Sequence, residues 1–300
     1  MSGVPQAFLG DTGNFSNVII NASADGRFVL FQSDSTNLLP TPISNPGDMT
    51  HLYLRDTVTN TTILVDHAAD SASDPSNGSE FDSYLSPDGN TVAYLTVATN
   101  VASGVTDTNG REDLYVWNRQ TNQSTLLTAS YGTPLIASMN SVSHNFGRLV
   151  FSADGNWLAF NSGAPDLVAG QSNYDRPVEH AFLYHVPTGT LSLISHAPGN
   201  PSEPVHQQTA PTAVAVLPDN SVRVLLTSRE NLVTGGRHGI NLCSSNVAGC
   251  LKKRPPPEGS EREAHRCQHS CAPAQGGKAG PEVRTFGGVI ITATVNQVAK

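Results

Sequence analysis

Short apolar runs alternate with turn-forming polar segments along most of the chain, and one nine-residue pattern returns four times. The stretch SPDGNTVAY at 86–94 has near-copies at 23–31 (SADGRFVLF) and 152–160 (SADGNWLAF), and a weaker version at 217–225 (LPDNSVRVL). The aspartates of the four turns are separated by 63, 66 and 65 residues. They are Asp25, Asp88, Asp154 and Asp219. Spacing this even indicates a tandem structural repeat.

Each repeat predicts four short strands. The first strand precedes the turn, the second follows it, and a loop of about twenty residues leads to the third. A tight Thr-Asn or Thr-Gly turn then reverses the chain into the fourth strand, as in a β-hairpin. An Asn or Asp followed by two mostly apolar residues also stands twelve positions after each turn aspartate. The second strands are predicted at 28–31, 91–95, 157–160 and 222–226, and the third strands at 51–56, 113–118 and 181–186.

The S-x-D-G part of the repeat has the chemistry of a tight turn. Glycine reaches a positive φ without steric cost, and the short Ser and Asp side chains accept hydrogen bonds from nearby backbone amides. A turn role is therefore favoured over a catalytic role for these aspartates. The predicted turn residues are Asp25, Gly26, Asp88, Gly89, Asp154 and Gly155.

A four-stranded antiparallel unit repeated in tandem is typical of a β-propeller, because one such sheet cannot bury both faces alone. We therefore expect an all-β fold, an incomplete β-propeller of about three and a half four-stranded blades with an irregular C-terminal tail. The expected divisions are an N-terminal segment at 1–13, units at about 14–70, 78–131 and 144–198, a partial unit at 210–235, and a tail at 236–300.

The repeat resembles a known family. The pattern S-x-D-G-x-x-(V/L)-A-(F/Y), followed by N-L-V and by an aromatic third strand ending in R-D or W-N, is similar to the WD40-like (PD40-type) repeats of TolB-type β-propellers in bacterial proteins. Residues 14–198 match over three units, and 212–235 match over the first half of another. The resemblance implies an interaction platform that is periplasmic or extracellular. No signal peptide is predicted in this chain, because its N-terminus lacks a basic start and a long apolar stretch.

The composition changes near Gly235. Residues 1–235 carry 21 acidic and 8 basic side chains, whereas residues 236–300 carry 4 acidic and 9 basic ones, with every lysine and cysteine of the chain. No third strand is predicted near 245–249, and the Pro-rich sequence that follows is typical of disorder. Residues 236–300 are either a native tail or the product of a changed reading frame, and the abrupt shift favours the latter. A late stretch, FGGVIITATVNQV, has strand character.

Two segments contain possible metal ligands. Cys267 and Cys271 enclose a histidine, but Cys243 and Cys250 are too widely spaced for a typical zinc site. The loop DTNGRED offers oxygen ligands around a glycine, as calcium loops do, and turn formation is its alternative role. The candidate calcium ligands are Asp107, Asn109, Glu112 and Asp113. No other cofactor is predicted.

Other functions find less support. No G-x-S-x-G sequence is present, and no histidine stands beside a nucleophile in a recognisable motif. The net charge of −8 argues against binding to nucleic acid or anionic membranes. No apolar run is long enough for a membrane span.

These observations favour a non-catalytic β-propeller scaffold that binds a protein or cell-envelope partner through its loops. One alternative is a propeller domain associated with a hydrolase or a carbohydrate-active enzyme, and another is a calcium-dependent structural module. An incomplete propeller would also leave an open edge through which the chain could self-associate.

Overall fold

A computed structural model describes residues 18–44, 49–138, 149–171, 178–197, 200–206 and 208–228, together with the backbone of residues 288–293. The described residues form fifteen β-strands in four sheets and contain no helix. We call the sheets blades 1 to 4, in chain order.

Three blades are four-stranded antiparallel meanders whose strands pair in chain order. Blade 1 consists of β1 (Val18–Ala22), β2 (Phe28–Ser33), β3 (His51–Asp56) and β4 (Thr61–Leu64). Blade 2 consists of β5 (Glu80–Leu85), β6 (Thr91–Thr96), β7 (Asp113–Asn118) and β8 (Gln123–Leu126). Blade 3 consists of β9 (Val150–Phe151), β10 (Trp157–Ser162), β11 (His180–His185) and β12 (Thr190–Leu193). The predicted second and third strands of these repeats are confirmed.

Blade 4 has three strands, and the third comes from far along the chain. β13 (Thr209–Val216) pairs with β14 (Val222–Ser228), and β14 pairs in turn with β15 (Gly288–Ala293), all antiparallel. The late apolar stretch of the sequence therefore occupies the position of a third strand. The remainder of the predicted tail, with all four cysteines, lies outside the described residues.

The hydrophobic core lies between successive blades, at boundaries that we call seams. In β6, Val92 and Tyr94 pack against blade 1, whereas Ala93 and Leu95 pack against blade 3. All six residues of β6 are consequently buried, which explains why central strands read as continuous apolar runs. Sheets that pack face to face in series are the arrangement of a β-propeller, and the predicted fold class is confirmed.

The S-x-D-G segments form the turns between the first and second strands. In blade 1, the Asp25 carboxylate accepts hydrogen bonds from Ser23 Oγ (2.6 Å) and from the Arg27 amide (3.0 Å), while Gly26 has a φ of 71°. Asp88 and Asp154 accept the corresponding bonds in blades 2 and 3, where Gly89 and Gly155 each have a φ of 73°. The polar side chains of these turns are thus used to close the hairpins.

Two kinds of loop meet at the other end of the sheets, which we call the loop face. Long loops join the second and third strands of a blade, and connecting loops join the fourth strand of one blade to the first strand of the next. The Asn or Asp of the repeat joins the connecting loops after β4 and β8 to the blade that follows. Asn100 O accepts a bond from the Ala69 amide (2.8 Å), and Asp166 O accepts one from the Tyr131 amide (2.7 Å).

Candidate functional site

A buried polar network lies at the loop face of blade 1. His51 Nδ1 lies 2.8 Å from Asp66 Oδ2, and both side chains are fully buried. Ser76 Oγ donates a hydrogen bond to the same Asp66 oxygen at 2.9 Å, and the Leu52 amide donates to Asp66 Oδ1 at 2.9 Å. Sequence reasoning missed this cluster, because its members become neighbours only when β3, β4 and the connecting loop are in register.

The geometry of this network differs from that of a nucleophilic triad. In such a triad the imidazole contacts the acid through one nitrogen and the nucleophile through the other. Here Asp66 and Ser76 are both near Nδ1 of His51, with the serine oxygen at 3.5 Å. Nε2 of His51 is buried and has no hydrogen-bond partner among the described residues. Ser76 is also only 2% exposed, so the network lies inside the fold, where its side chains contact one another.

Glu80 extends the network toward blade 2. Its Oε1 lies 3.4 Å from Ser76 Oγ, and the side chain is buried. Burial, and then the charge of Asp66, raise the pKa of the Glu80 carboxyl well above its ordinary value. This carboxyl is therefore a buried acid that favours its protonated form.

The structure joins three of the four candidate calcium ligands by direct hydrogen bonds, and Asp107 Oδ1 accepts one from the Asn109 amide at 3.2 Å. Asn109 Nδ2 donates to Asp113 Oδ2 at 2.8 Å, while Asn109 Oδ1 accepts a bond from the Arg111 amide at 2.6 Å. Burial raises the pKa of Asp113 to about 6, and the nearby charges of Asp107 and Glu112 act in the same direction. No group of three or more His, Cys, Asp or Glu side chains placed to hold a metal ion occurs in the described part of the chain. The calcium site stays a prediction.

An open crevice of about 680 Å³ lies at the seam between blades 2 and 3. One wall comes from β8 and the residue that follows it and includes Thr125 and Leu127, and the other comes from blade 3 and includes Tyr184 and Leu191. The connecting loop after β8 forms one end of the crevice, and Gly189 lies in the turn that precedes β12. No lining residue is charged.

Exposed apolar side chains adjoin the crevice. Tyr131 lines it and is 65% exposed, and Leu135 and Ile136 of the same connecting loop are 50% and 47% exposed. Large apolar residues grouped on one exposed loop are typical of a surface that contacts another molecule. The crevice is therefore the candidate functional site, and it was not predicted from the sequence.

The described residues contain no helix of the length and apolar character that a membrane span requires.

Comparisons with known proteins give distant structural matches. No protein-family model and no curated protein matches the chain. Among solved structures, TolB from Acinetobacter baumannii is 13% identical with a TM-score of 0.34, and the match covers 71% of this chain and 40% of TolB. The propeller domain of the Trilobed protease from Pyrococcus furiosus is 11% identical with a TM-score of 0.37, with coverage of 71% and 50%.

The tricorn protease is 12% identical with a TM-score of 0.37, and the match covers 75% of this chain and 20% of the protease. The chain thus spans half or less of the length of each of these three proteins. All three structures are less than 25% identical to this chain, so the likeness extends to the fold alone.

Proposed function

We propose that the chain is a non-catalytic β-propeller scaffold that binds a protein partner. The supporting observation is the uncharged crevice at the seam between blades 2 and 3, with the exposed apolar residues beside it. Its volume of about 680 Å³ lies in the range of ligand-binding clefts. A chain of net charge −8 has a surface rich in carboxylates, so an uncharged recess in that surface is selective for apolar groups.

A polypeptide suits this recess better than a cell-envelope glycan. Glycans are recognised through many hydrogen bonds to hydroxyl groups, whereas ten of the nineteen residues that line the crevice are leucine, valine, alanine or proline. The lining side chains that can form hydrogen bonds are serine, threonine and tyrosine hydroxyls, and sugar hydroxyls placed against the aliphatic part of the walls would lose hydrogen bonds to water at a cost in free energy. Leucine or aromatic side chains of a protein partner would gain free energy there, because their apolar surface leaves water.

The buried network of blade 1 supports the non-catalytic part of the proposal. His51 and Asp66 contact each other with no exposed surface, and Ser76 Oγ donates a hydrogen bond to Asp66. A group that is closed from solvent cannot attack a substrate. These three side chains are instead expected to stabilise the loop face.

The proposal can be tested by selection from a displayed library of random dodecapeptides, with the intact chain as bait and sedimentation with peptidoglycan as a parallel assay. We expect one peptide family to be enriched over a bait-free support, with no sedimentation. Enriched peptides should also be recovered uncleaved after long incubation with the chain, as measured by mass spectrometry. Failure to enrich any family, binding to peptidoglycan in place of peptides, or peptide cleavage would each contradict the proposal.

A further inference from the structure

We propose that the crevice between blades 2 and 3 is the docking site for an extended peptide segment that inserts a large uncharged side chain, and that three residue differences from the neighbouring seam create this site. The inference rests on the proposed function and assigns it a location and a partner chemistry. It follows from a comparison of equivalent positions in successive repeats.

The seam between blades 1 and 2 is closed by three side chains. His67, in the connecting loop after β4, places Nε2 at 3.1 Å from Asn122 O in blade 2. Trp117 is fully buried, and its Nε1 donates to Asn122 Oδ1 at 3.1 Å. The histidine, the tryptophan and the asparagine thus form one contact set that fills the space between the outer parts of these blades.

The next seam has smaller residues at all three positions. Ala129 stands where His67 does, since each begins the isolated β-bridge of its connecting loop. Tyr184 is the fifth residue of β11, as Trp117 is of β7. Gly189 is the positive-φ residue of the turn, as Asn122 is in blade 2. All three residues of the second set line the crevice.

The two connecting loops share backbone hydrogen bonds, so we assign the opening to the difference in side-chain size. Ala68 N donates to Asp74 O at 2.7 Å in the first connecting loop, and Ser130 N donates to Ile136 O at 2.9 Å in the second. The bonds from the Ala69 and Tyr131 amides to the following blade also correspond, at 2.8 and 2.7 Å. The connecting loops therefore hold equivalent positions, and the crevice is not a result of a displaced loop.

The chemistry of the walls defines the occupant. A charged side chain in the crevice would lose water without gaining an ionic partner, because no lining residue is charged. An aromatic or long aliphatic side chain would instead pack against Tyr184, Leu191 and Leu193. The site thus complements an uncharged, apolar side chain.

The form of the site favours an extended segment. β8 and β12 are the last strands of their sheets, and among the described residues no strand pairs with their outer edges. Such edges offer backbone amides and carbonyls to an extended chain. An extended peptide can therefore bond to one edge strand while its central side chain enters the crevice.

The test uses peptides from the library selection and a variant that copies the closed seam, Ala129→His with Gly189→Asn. Asparagine is compatible with position 189, since Asn60 and Asn122 have φ values of 59° and 51° at equivalent turns. A Cβ at position 189 would lie 3.8 Å from the Tyr184 hydroxyl, which is an ordinary contact. The variant should therefore fold, and its urea midpoint, compared with that of the wild type, checks this.

We expect peptides with a central aromatic or leucine residue to bind the closed variant at least about tenfold more weakly than the wild type, because the apolar side chain could no longer leave water in the filled crevice. Leu191→Arg places a charge in the crevice and should weaken peptide binding by a similar factor. If the closed variant fails to fold, Leu191→Arg alone tests whether the peptide binds in the crevice. Val58→Arg is the control, since Val58 is 72% exposed in blade 1, and it should bind as the wild type does.

Unchanged affinity in both crevice variants would overturn the assignment of the site and leave the proposed function intact. Analytical ultracentrifugation tests whether a second copy of the chain occupies the crevice. A wild type that dimerises and a closed variant that stays monomeric would identify a second copy as the occupant, and would overturn the assignment to a peptide. A library that yields no enriched peptide contradicts the proposed function itself, so the two failures can be told apart.

Discussion

Glu80 is a single residue that makes the stability of the contact between blades 1 and 2 depend on pH. It is buried at the start of β5, beside the His51, Asp66 and Ser76 network of the preceding blade. The pKa of its carboxyl is raised well above its ordinary value of 4.5, chiefly by burial and then by the charge of Asp66. Above pH 4.5 the Glu80 carboxyl therefore keeps its proton in the folded chain, whereas the same carboxyl has lost it in the unfolded chain.

This linkage predicts a decline in stability as the pH rises. A raised pKa in the folded state gives a contribution that is complete below pH 4.5 and is lost as the pH rises through the folded pKa. Glu80→Gln keeps a neutral side chain and removes the titration, so the variant should lose less stability than the wild type between about pH 5 and about pH 8. Urea unfolding across this range measures the difference.

Glu203→Gln is the matched control, because Glu203 makes its hydrogen bond with Asn200 at the surface. The pKa of Asp113, raised to about 6, adds a decline of the same sign to every variant. If the free energy of unfolding changes with pH in the same way in the wild type and in Glu80→Gln, the linkage to Glu80 is refuted.

At the scale of elements, the turns between the first and second strands pack on one another as well as closing their hairpins. A Cβ at Gly89 would overlap Cδ2 of Phe28, the residue that follows the turn in blade 1. The guanidinium groups of Arg27 and Arg119 lie over the same Phe28 ring, at 4.8 and 4.3 Å from its centroid. The glycine is therefore required by its φ and also by the neighbouring blade.

Gly89→Ala and Gly26→Ala separate these two requirements. Both glycines have a positive φ, but nothing lies within 4 Å of a Cβ at Gly26. Gly26→Ala should cost only the backbone strain, about 1–2 kcal/mol. Gly89→Ala should lose about 1–3 kcal/mol more, because the methyl group also overpacks against Phe28. Chemical unfolding of the two variants measures the difference, and equal losses would show that the turns do not pack tightly.

Much of this element structure could be predicted from the sequence. The repeat places strands such as β2, β6 and β10 correctly, because each follows a turn whose chemistry is local. The crevice could not be predicted in the same way. It depends on Ala129, Tyr184 and Gly189, which come from two blades and become comparable with His67, Trp117 and Asn122 only when the register of the strands is known.

At the scale of the whole molecule, blade 4 depends on a long-range pairing. β15 pairs with β14 from Val222 to Thr227, although about sixty residues separate the two strands in the chain. The sequence shows the strand character of this stretch but not its partner, because no tight turn connects the two strands. Such pairing has a large loop-closure cost and depends on the assembled sheet.

Removal of residues 288–300 tests this pairing. Without β15, the backbone amides of β14 that face it would be open to water, and their hydrogen exchange should accelerate. The amides of β6, which lies between β5 and β7 in blade 2, should exchange as in the intact chain and serve as an internal reference. Exchange of β14 that is the same in both chains, measured by mass spectrometry, would show that β15 does not close the sheet.

The corresponding backbone bonds at the two seams have a consequence for how such a protein can change. These bonds do not involve the side chains of His67, Trp117 or Asn122, so smaller residues at those positions leave the bonds in place. In a chain of tandem repeats, one seam can therefore acquire a new binding specificity while the other seams continue to stabilise the fold.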